Sequence, residues 1–93
     1  MAAISGQKTV TTAGTAVQLG TVRIEGPLMV KALDTNTGIV ALGNDGANDV
    51  TVSNGLRLSA GEVCVLDFVG CLANIWLDSA VNGEGVSWIV LNV

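Results

Sequence analysis

The chain has no histidine and no tyrosine, and these two absences close most of the familiar routes to catalysis. Without an imidazole, a general base has to be a carboxylate or a lysine of shifted pKa. Ser5, Ser53, Ser59, Ser79 and Ser87 stand in no G-x-S-x-G setting, so none reads as a poised nucleophile. Gly83-Glu84-Gly85 opens like a dinucleotide fingerprint. Trp88 occupies the third glycine's place, however, and no helix is expected behind it, so the run reads as a hairpin turn. No enzymatic activity is expected.

Cysteine is scarce as well. Cys64 and Cys71, with six residues between them, are the whole supply, whereas small secreted domains are usually stapled by several disulfides. The spacing would allow a disulfide across the turn near Gly70, but zinc needs about four nitrogen or sulfur ligands, and the pair reads as free buried thiols acting as small hydrophobes. Asn44-Asp45-Gly46-Ala47-Asn48-Asp49 is rich in oxygen donors but lacks the closing glutamate of a calcium loop, and Asn and Asp gather in tight turns for their own reasons. Neither metal nor cofactor is expected.

Charge is thin: 13% of residues, for a net −4. The four cations, Lys8, Arg23, Lys31 and Arg57, are scattered, whereas a nucleic-acid site needs a clustered basic face. No apolar run approaches the roughly 18–20 residues of a membrane-spanning helix. A membrane barrel would need at least about eight strands of about ten residues, nearly more than the chain holds. The first residues carry no basic segment followed by an apolar one, so no signal peptide is expected and synthesis is assigned to a reducing cytosol.

What is present is apolar and β-branched. Hydrophobic residues reach 49% of a 93-residue chain, and valine, isoleucine and threonine together number 27, residues suited to pleated strands. Twelve glycines cut the sequence into short pieces. Turn dipeptides stand at Asn54-Gly55, Asp45-Gly46 and Asn82-Gly83, and Thr35-Asn36-Thr37-Gly38 separates two apolar runs. About eight or nine strands result, over 8–12, 16–19, 22–25, 28–34, 39–42, 49–52, 62–69, 75–78 and 86–92. Leu72, Ile75, Trp76 and Ser79 also fit helical spacing over 71–81, but the surrounding pattern favours strand. The expected fold is all-β, an antiparallel sandwich of jelly-roll type with about eight short strands, after an extended N-terminal segment over 1–14.

Two strands are apolar on both faces. Over 62–69, Cys64, Leu66 and Phe68 alternate with Val63, Val65 and Val69 around Asp67. Over 86–91, Val86, Trp88 and Val90 alternate with Ser87, Ile89 and Leu91. A two-layer sandwich buries one face of each sheet, so the second face must meet either another subunit or a covering segment such as the N-terminal third. With so few charges to cover a small domain, self-association is the reading we take. The candidate interface is Val63, Val65, Asp67, Trp76, Trp88, Ile89 and Leu91. Asp67 among valines predicts a charge partner, Arg57 or Arg23, or else a charge that blocks unwanted edge pairing. Trp76 and Trp88 read as core or interface anchors rather than sugar platforms.

Three stretches carry a family resemblance: Asn36-Thr37-Gly38-Ile39-Val40-Ala41-Leu42-Gly43-Asn44, Ser53-Asn54-Gly55-Leu56-Arg57-Leu58-Ser59-Ala60-Gly61-Glu62, and Ile75-Trp76-Leu77-Asp78. Over roughly residues 28–91 the chain resembles small jelly-roll decoration or cement proteins of tailed-phage capsids, with their N-T-G and L-x-A-G-E turns. The resemblance implies a homotrimer on the outer surface of a virion, assembled in the host cytoplasm. It bridges neighbouring copies of the major capsid protein, with the N-terminal segment reaching outward. The alternative from another class is an oligomeric carbohydrate- or receptor-binding module of a head fibre or tail.

Overall fold

The computed structural model describes residues 3–44, 50–67 and 69–91. Eight strands are present: β1 (Ile4–Thr9), β2 (Val17–Gln18), β3 (Leu28–Ala32), β4 (Val40–Gly43), β5 (Leu56–Leu58), β6 (Val63–Leu66), β7 (Trp76–Ser79) and β8 (Gly85–Val90). They form two four-stranded antiparallel sheets, β1-β8-β3-β6 and β2-β7-β4-β5. β1 pairs with β8, β2 with β7, β3 with β6 and β4 with β5. The chain is therefore one long antiparallel ribbon, folded so that β3 meets β8 and β4 meets β7. This is the jelly-roll expectation, met in strand number and in connectivity.

Alternation explains why the ribbon rolls. On β3, Leu28, Val30 and Ala32 are buried and Met29 is exposed. On β8, Val86 and Val90 are buried while Ile89 is exposed. Opposite them, Val40 and Leu42 of β4, Leu58 of β5 and Leu77 of β7 close the core, with Val10, Leu19, Ile24 and Leu72 from the connections. Each sheet thus hides one apolar face against the other, about 10 Å away in sandwiches of this kind.

Several boundaries differ from the sequence expectation, for identifiable reasons. β1 starts at Ile4 rather than at residue 8, so Ile4–Thr9 of the N-terminal segment is an edge strand, in register with β8 throughout. Residues 22–25 contribute only the isolated bridge Arg23↔Cys71, because they cross the end of the sandwich and bury Ile24 there. Leu56–Leu58 is a strand that alternation alone did not single out, since it is three residues long and only Leu58 is buried, Leu56 and Arg57 both being exposed. The helical option over 71–81 reduces to one 3-10 turn, Leu72–Asn74, before β7. In the 49–52 stretch, the described part forms a tight turn: Thr51 and Asn54 exchange main-chain hydrogen bonds of 3.2 and 3.0 Å. Asp45-Gly46 lies outside the described residues.

The two glycine-containing turns after β3 and before β8 are not hairpins, since each joins strands of different sheets. They are docked on each other instead. The buried Asn36 amide donates to the Gly85 carbonyl (2.9 Å) and accepts the Gly85 N–H (3.3 Å). The Glu84 carboxylate accepts the Thr37 N–H (2.7 Å), the Thr37 hydroxyl (2.9 Å) and the Gly38 N–H (3.0 Å). The Thr37 N–H is the main cause holding the Glu84 carboxyl below its usual range; burial opposes it, and the Gly38 N–H and the Thr37 hydroxyl add to it.

This turn clamp makes a pH prediction. A carboxyl whose folded pKa is lowered stabilises the fold above its unfolded value, about 4.3. That contribution is lost as pH falls through the lower folded value. Glu84→Gln is therefore expected to flatten the acid limb of a melting temperature against pH profile between neutral pH and about pH 3. Parallel acid limbs in the two proteins would refute the clamp.

The L-x-A-G-E run closes the β5–β6 connection locally. Glu62 N–H donates to the Ser59 carbonyl (3.0 Å) and the Glu62 carboxylate accepts the Ser59 N–H (2.6 Å). Gly61 supplies the positive φ of +80° that this turn requires.

Candidate functional site: the outer face of one sheet

The outer faces of the two sheets are treated differently by the chain. On the second sheet, the outward Asp78 and Ala41 are both buried. The β1–β2 connection lies over them: the Gly14 N–H donates to Asp78 Oδ1 (2.9 Å), and the Ala13 N–H to Asn82 Oδ1 (2.7 Å). Part of the N-terminal third does serve as a cover, on that side.

The first sheet's outer face is open. The register aligns Ser5, Ile89, Met29 and Val65 in one row across four strands, and Gln7, Ser87, Lys31 and Val63 in the next. Pro27, Leu91 and Asp67 follow at the end of their strands. Exposures are 70% at Leu91, 53% at Val65, 49% at Val63, 44% at Met29 and 39% at Ile89. Scattered apolar surface residues are ordinary, whereas a contiguous group of this kind marks a contact surface. Two shallow depressions indent it. One of about 120 Å3 is lined by Pro27, Met29, Val65, Ile89 and Leu91. The other, about 200 Å3, lies between Met29, Lys31, Ser87, Trp88 and Ile89.

Five of the seven residues expected at an interface therefore share this face: Val63, Val65, Asp67, Ile89 and Leu91. Trp88 does not. It stands on the inner side of β8, half-buried against the core, with its indole over Gly6, where a Cβ would come within 2.8 Å of the ring. The Gly6↔Trp88 pairing on the edge strand is what makes room for that ring. Trp76 belongs to the other sheet, half-buried between its register partners Gln18 and Gly43. Asp67 is corrected in another respect. It is exposed to solvent, so its charge requires no buried arginine.

Met29 and Pro27 belong to the patch and were missed by face analysis. The signal was available in the alternation of Leu28, Met29, Val30 and Lys31, where a single methionine between buried neighbours is easily taken for core. The charges here are few. Lys31 Nζ lies 3.4 Å from Asp34 Oδ1 across one turn of strand, an exposed pair of small energetic weight.

Reactive groups lie away from this face. Both cysteines are free. Cys64, on the inner side of β6, has its thiol pushed up by burial and stays protonated at neutral pH. Cys71 donates weakly to the Thr21 carbonyl (3.5 Å). Among the described residues no group of three or more His, Cys, Asp or Glu side chains could hold a metal ion. What the open face offers is shape and apolar area. No family model, no curated protein and no solved structure matches this chain.

Proposed function

We propose that this protein is a non-enzymatic virion structural protein, a jelly-roll decoration or cement protein that binds the outer surface of a phage capsid and bridges neighbouring capsid subunits. The observation that carries the reading is the contiguous apolar outer face of the first sheet, open while its counterpart on the second sheet is covered by the chain itself. The N-T-G and L-x-A-G-E resemblance adds the virion context. A ligand that binds only the assembled shell stabilises that shell by mass action, and such a ligand needs a docking face rather than a reaction centre. The receptor-binding alternative is weaker because both indoles are half-buried and neither lies on the open face in a stacking position.

The test is co-sedimentation of the purified chain with capsids lacking decoration, together with the melting temperature of the shell. Binding and a raised shell melting temperature are expected. Ile89→Lys combined with Leu91→Lys is expected to weaken binding by about tenfold or more, as loss of a central apolar anchor does. The melting temperature of the free protein should stay near that of the parent, since Leu91 is 70% and Ile89 39% exposed and neither belongs to the core. Failure of the parent chain to sediment with any decoration-free capsid of its own phage would overturn the reading.

A further inference from the structure

A jelly roll has four sheet edges, and an unpaired edge is a template for another strand unless something blunts it. Three edges here are blunted. β1 carries Gly6 and the inward-facing Lys8, β2 has two residues, and β5 has three with Arg57 at its centre. β6 is different. Val63-Cys64-Val65-Leu66 has no charge, proline or glycine, pairs with β3 on one side, and among the described residues has no strand on the other. Glu62 and Asp67 stand only at its ends.

The direction of its free main-chain groups can be worked out. The Ala32 N–H donates to the Glu62 carbonyl (2.9 Å), so residue 62 turns its main-chain groups toward β3. In an antiparallel ladder this alternates. Cys64 and Leu66 therefore also face β3, while Val63 and Val65 point their N–H and C=O groups off the edge.

From this we infer that β6 pairs with β6 of a second copy about a two-fold axis at Val65. The inference rests on the open face being an interaction surface, and it names what joins two such faces. A continuous sheet demands that outward residues meet outward residues, which an axis at Val65 satisfies: Val65 meets its own counterpart, and Val63 meets Asp67 of the second copy. The Val65 pair exchanges both of its main-chain hydrogen bonds. The outward row then reads Ile89, Met29, Val65 and, in the second copy, Val65, Met29, Ile89, all apolar. In the flanking rows Lys31 and Val63 run on to Asp67 of the second copy, so opposite charges share a row. Glu62 and Asp67 are not brought opposite each other, which avoids the like-charge penalty. Two open faces become one platform of doubled width. The pairing closes after two copies, in place of the three-fold assembly that the resemblance implies.

The experiment is the solution mass of the full chain by size exclusion with light scattering, over a dilution series. Twice the chain mass is expected at high concentration. A monomer throughout, or three times the chain mass, overturns the pairing. Val65→Pro removes a donor that points off the sheet and leaves the β3 ladder intact, so it should raise the dimer dissociation constant about tenfold or more with little change in circular dichroism. A dimer unchanged in Val65→Pro also overturns it.

A second variant does not depend on tolerance of proline. In a Cys64→Ser, Cys71→Ser background, Val65→Cys places two thiols across the axis at the roughly 5.5 Å Cα separation of a hydrogen-bonded pair, within disulfide range. Mild oxidation should yield a linked dimer, whereas Met29→Cys, two strands from the axis, should not. No linked dimer from Val65→Cys sinks the axis. These results are separate from capsid binding: a dimer that ignores capsids removes the proposed function alone, and a monomer that binds them removes the pairing alone.

Discussion

Asp78→Ala is expected to destabilise the protein by about 3 kcal/mol, while Asp78→Asn costs about 1 kcal/mol or less. Asp78 is 2% exposed and its Oδ1 accepts both the Gly14 N–H (2.9 Å) and the Ser79 N–H (2.9 Å). Hydrogen bonds to an ionised group contribute about 1.5–3 kcal/mol each. Removing the acceptor also strands two donors beneath the β1–β2 connection. Burying a carboxylate carries its own desolvation cost, which is why the loss falls below the sum of the two bonds. Asparagine keeps an oxygen acceptor at the same place without the charge, so it gives up the charge assistance and is relieved of that cost. Urea unfolding of the three proteins measures the difference, and hydrogen exchange at the Gly14 amide localises it. Equal losses for alanine and asparagine would show that the carboxylate's charge, not its acceptor geometry, holds the connection down.

Gly85→Ala is expected to cost about 3 kcal/mol, near the upper end for a single overpacked methyl. Gly85 faces Thr9 across the β1–β8 pair, and a Cβ there would overlap the Lys8 carbonyl oxygen and come within 2.7 Å of the Thr9 Cα. These are main-chain atoms, so no side-chain rotation relieves the clash. Nor can Gly85 retreat, because Asn36 grips both of its main-chain groups and the Leu33 N–H donates to its carbonyl (3.1 Å). The strain is therefore expected to expel the end of β1, seen as lost amide protection at Lys8 and Thr9.

Gly83→Ala is the matching control. Gly83 has φ +82° but open space around it, so only the left-handed backbone penalty of about 1 kcal/mol applies. If Gly85→Ala proved no worse than Gly83→Ala, the close approach of β1 and β8 would be wrong.

These two sites illustrate what a linear reading could and could not reach. Gly83-Glu84-Gly85 is visible as a turn, but nothing local tells that Gly85 is glycine because a strand 76 residues earlier in the chain crosses it. Asn36 and Glu84 each look like ordinary turn residues, and their joint role arises only when the β3–β4 and β7–β8 connections meet. Asp67 looked the costly acid among apolar neighbours, yet it is exposed and Asp78 is the buried one. Which of them is buried depends on whether a connection passes over that face, and the β1–β2 connection passes over one sheet only. Alternation reported faces correctly for Val63, Val65, Ile89 and Leu91. It also set Trp88 on the opposite face, with Val86 and Val90; grouping Trp88 and Trp76 with that surface followed from residue type, because large aromatics suit both cores and interfaces.

By itself the sequence determined the class of fold, the lack of any histidine, and the existence of strands with two apolar faces. Those follow from period-two patterning and residue type, which are local. Tertiary structure alone decided which strands share a sheet, that the turn glycines mark crossings between sheets, which outer face the chain covers, and that β6 ends its sheet among the described residues. Each of those depends on contacts between residues far apart in the chain. Such contacts are settled by how the whole ribbon buries its apolar side, and no window of sequence contains that information.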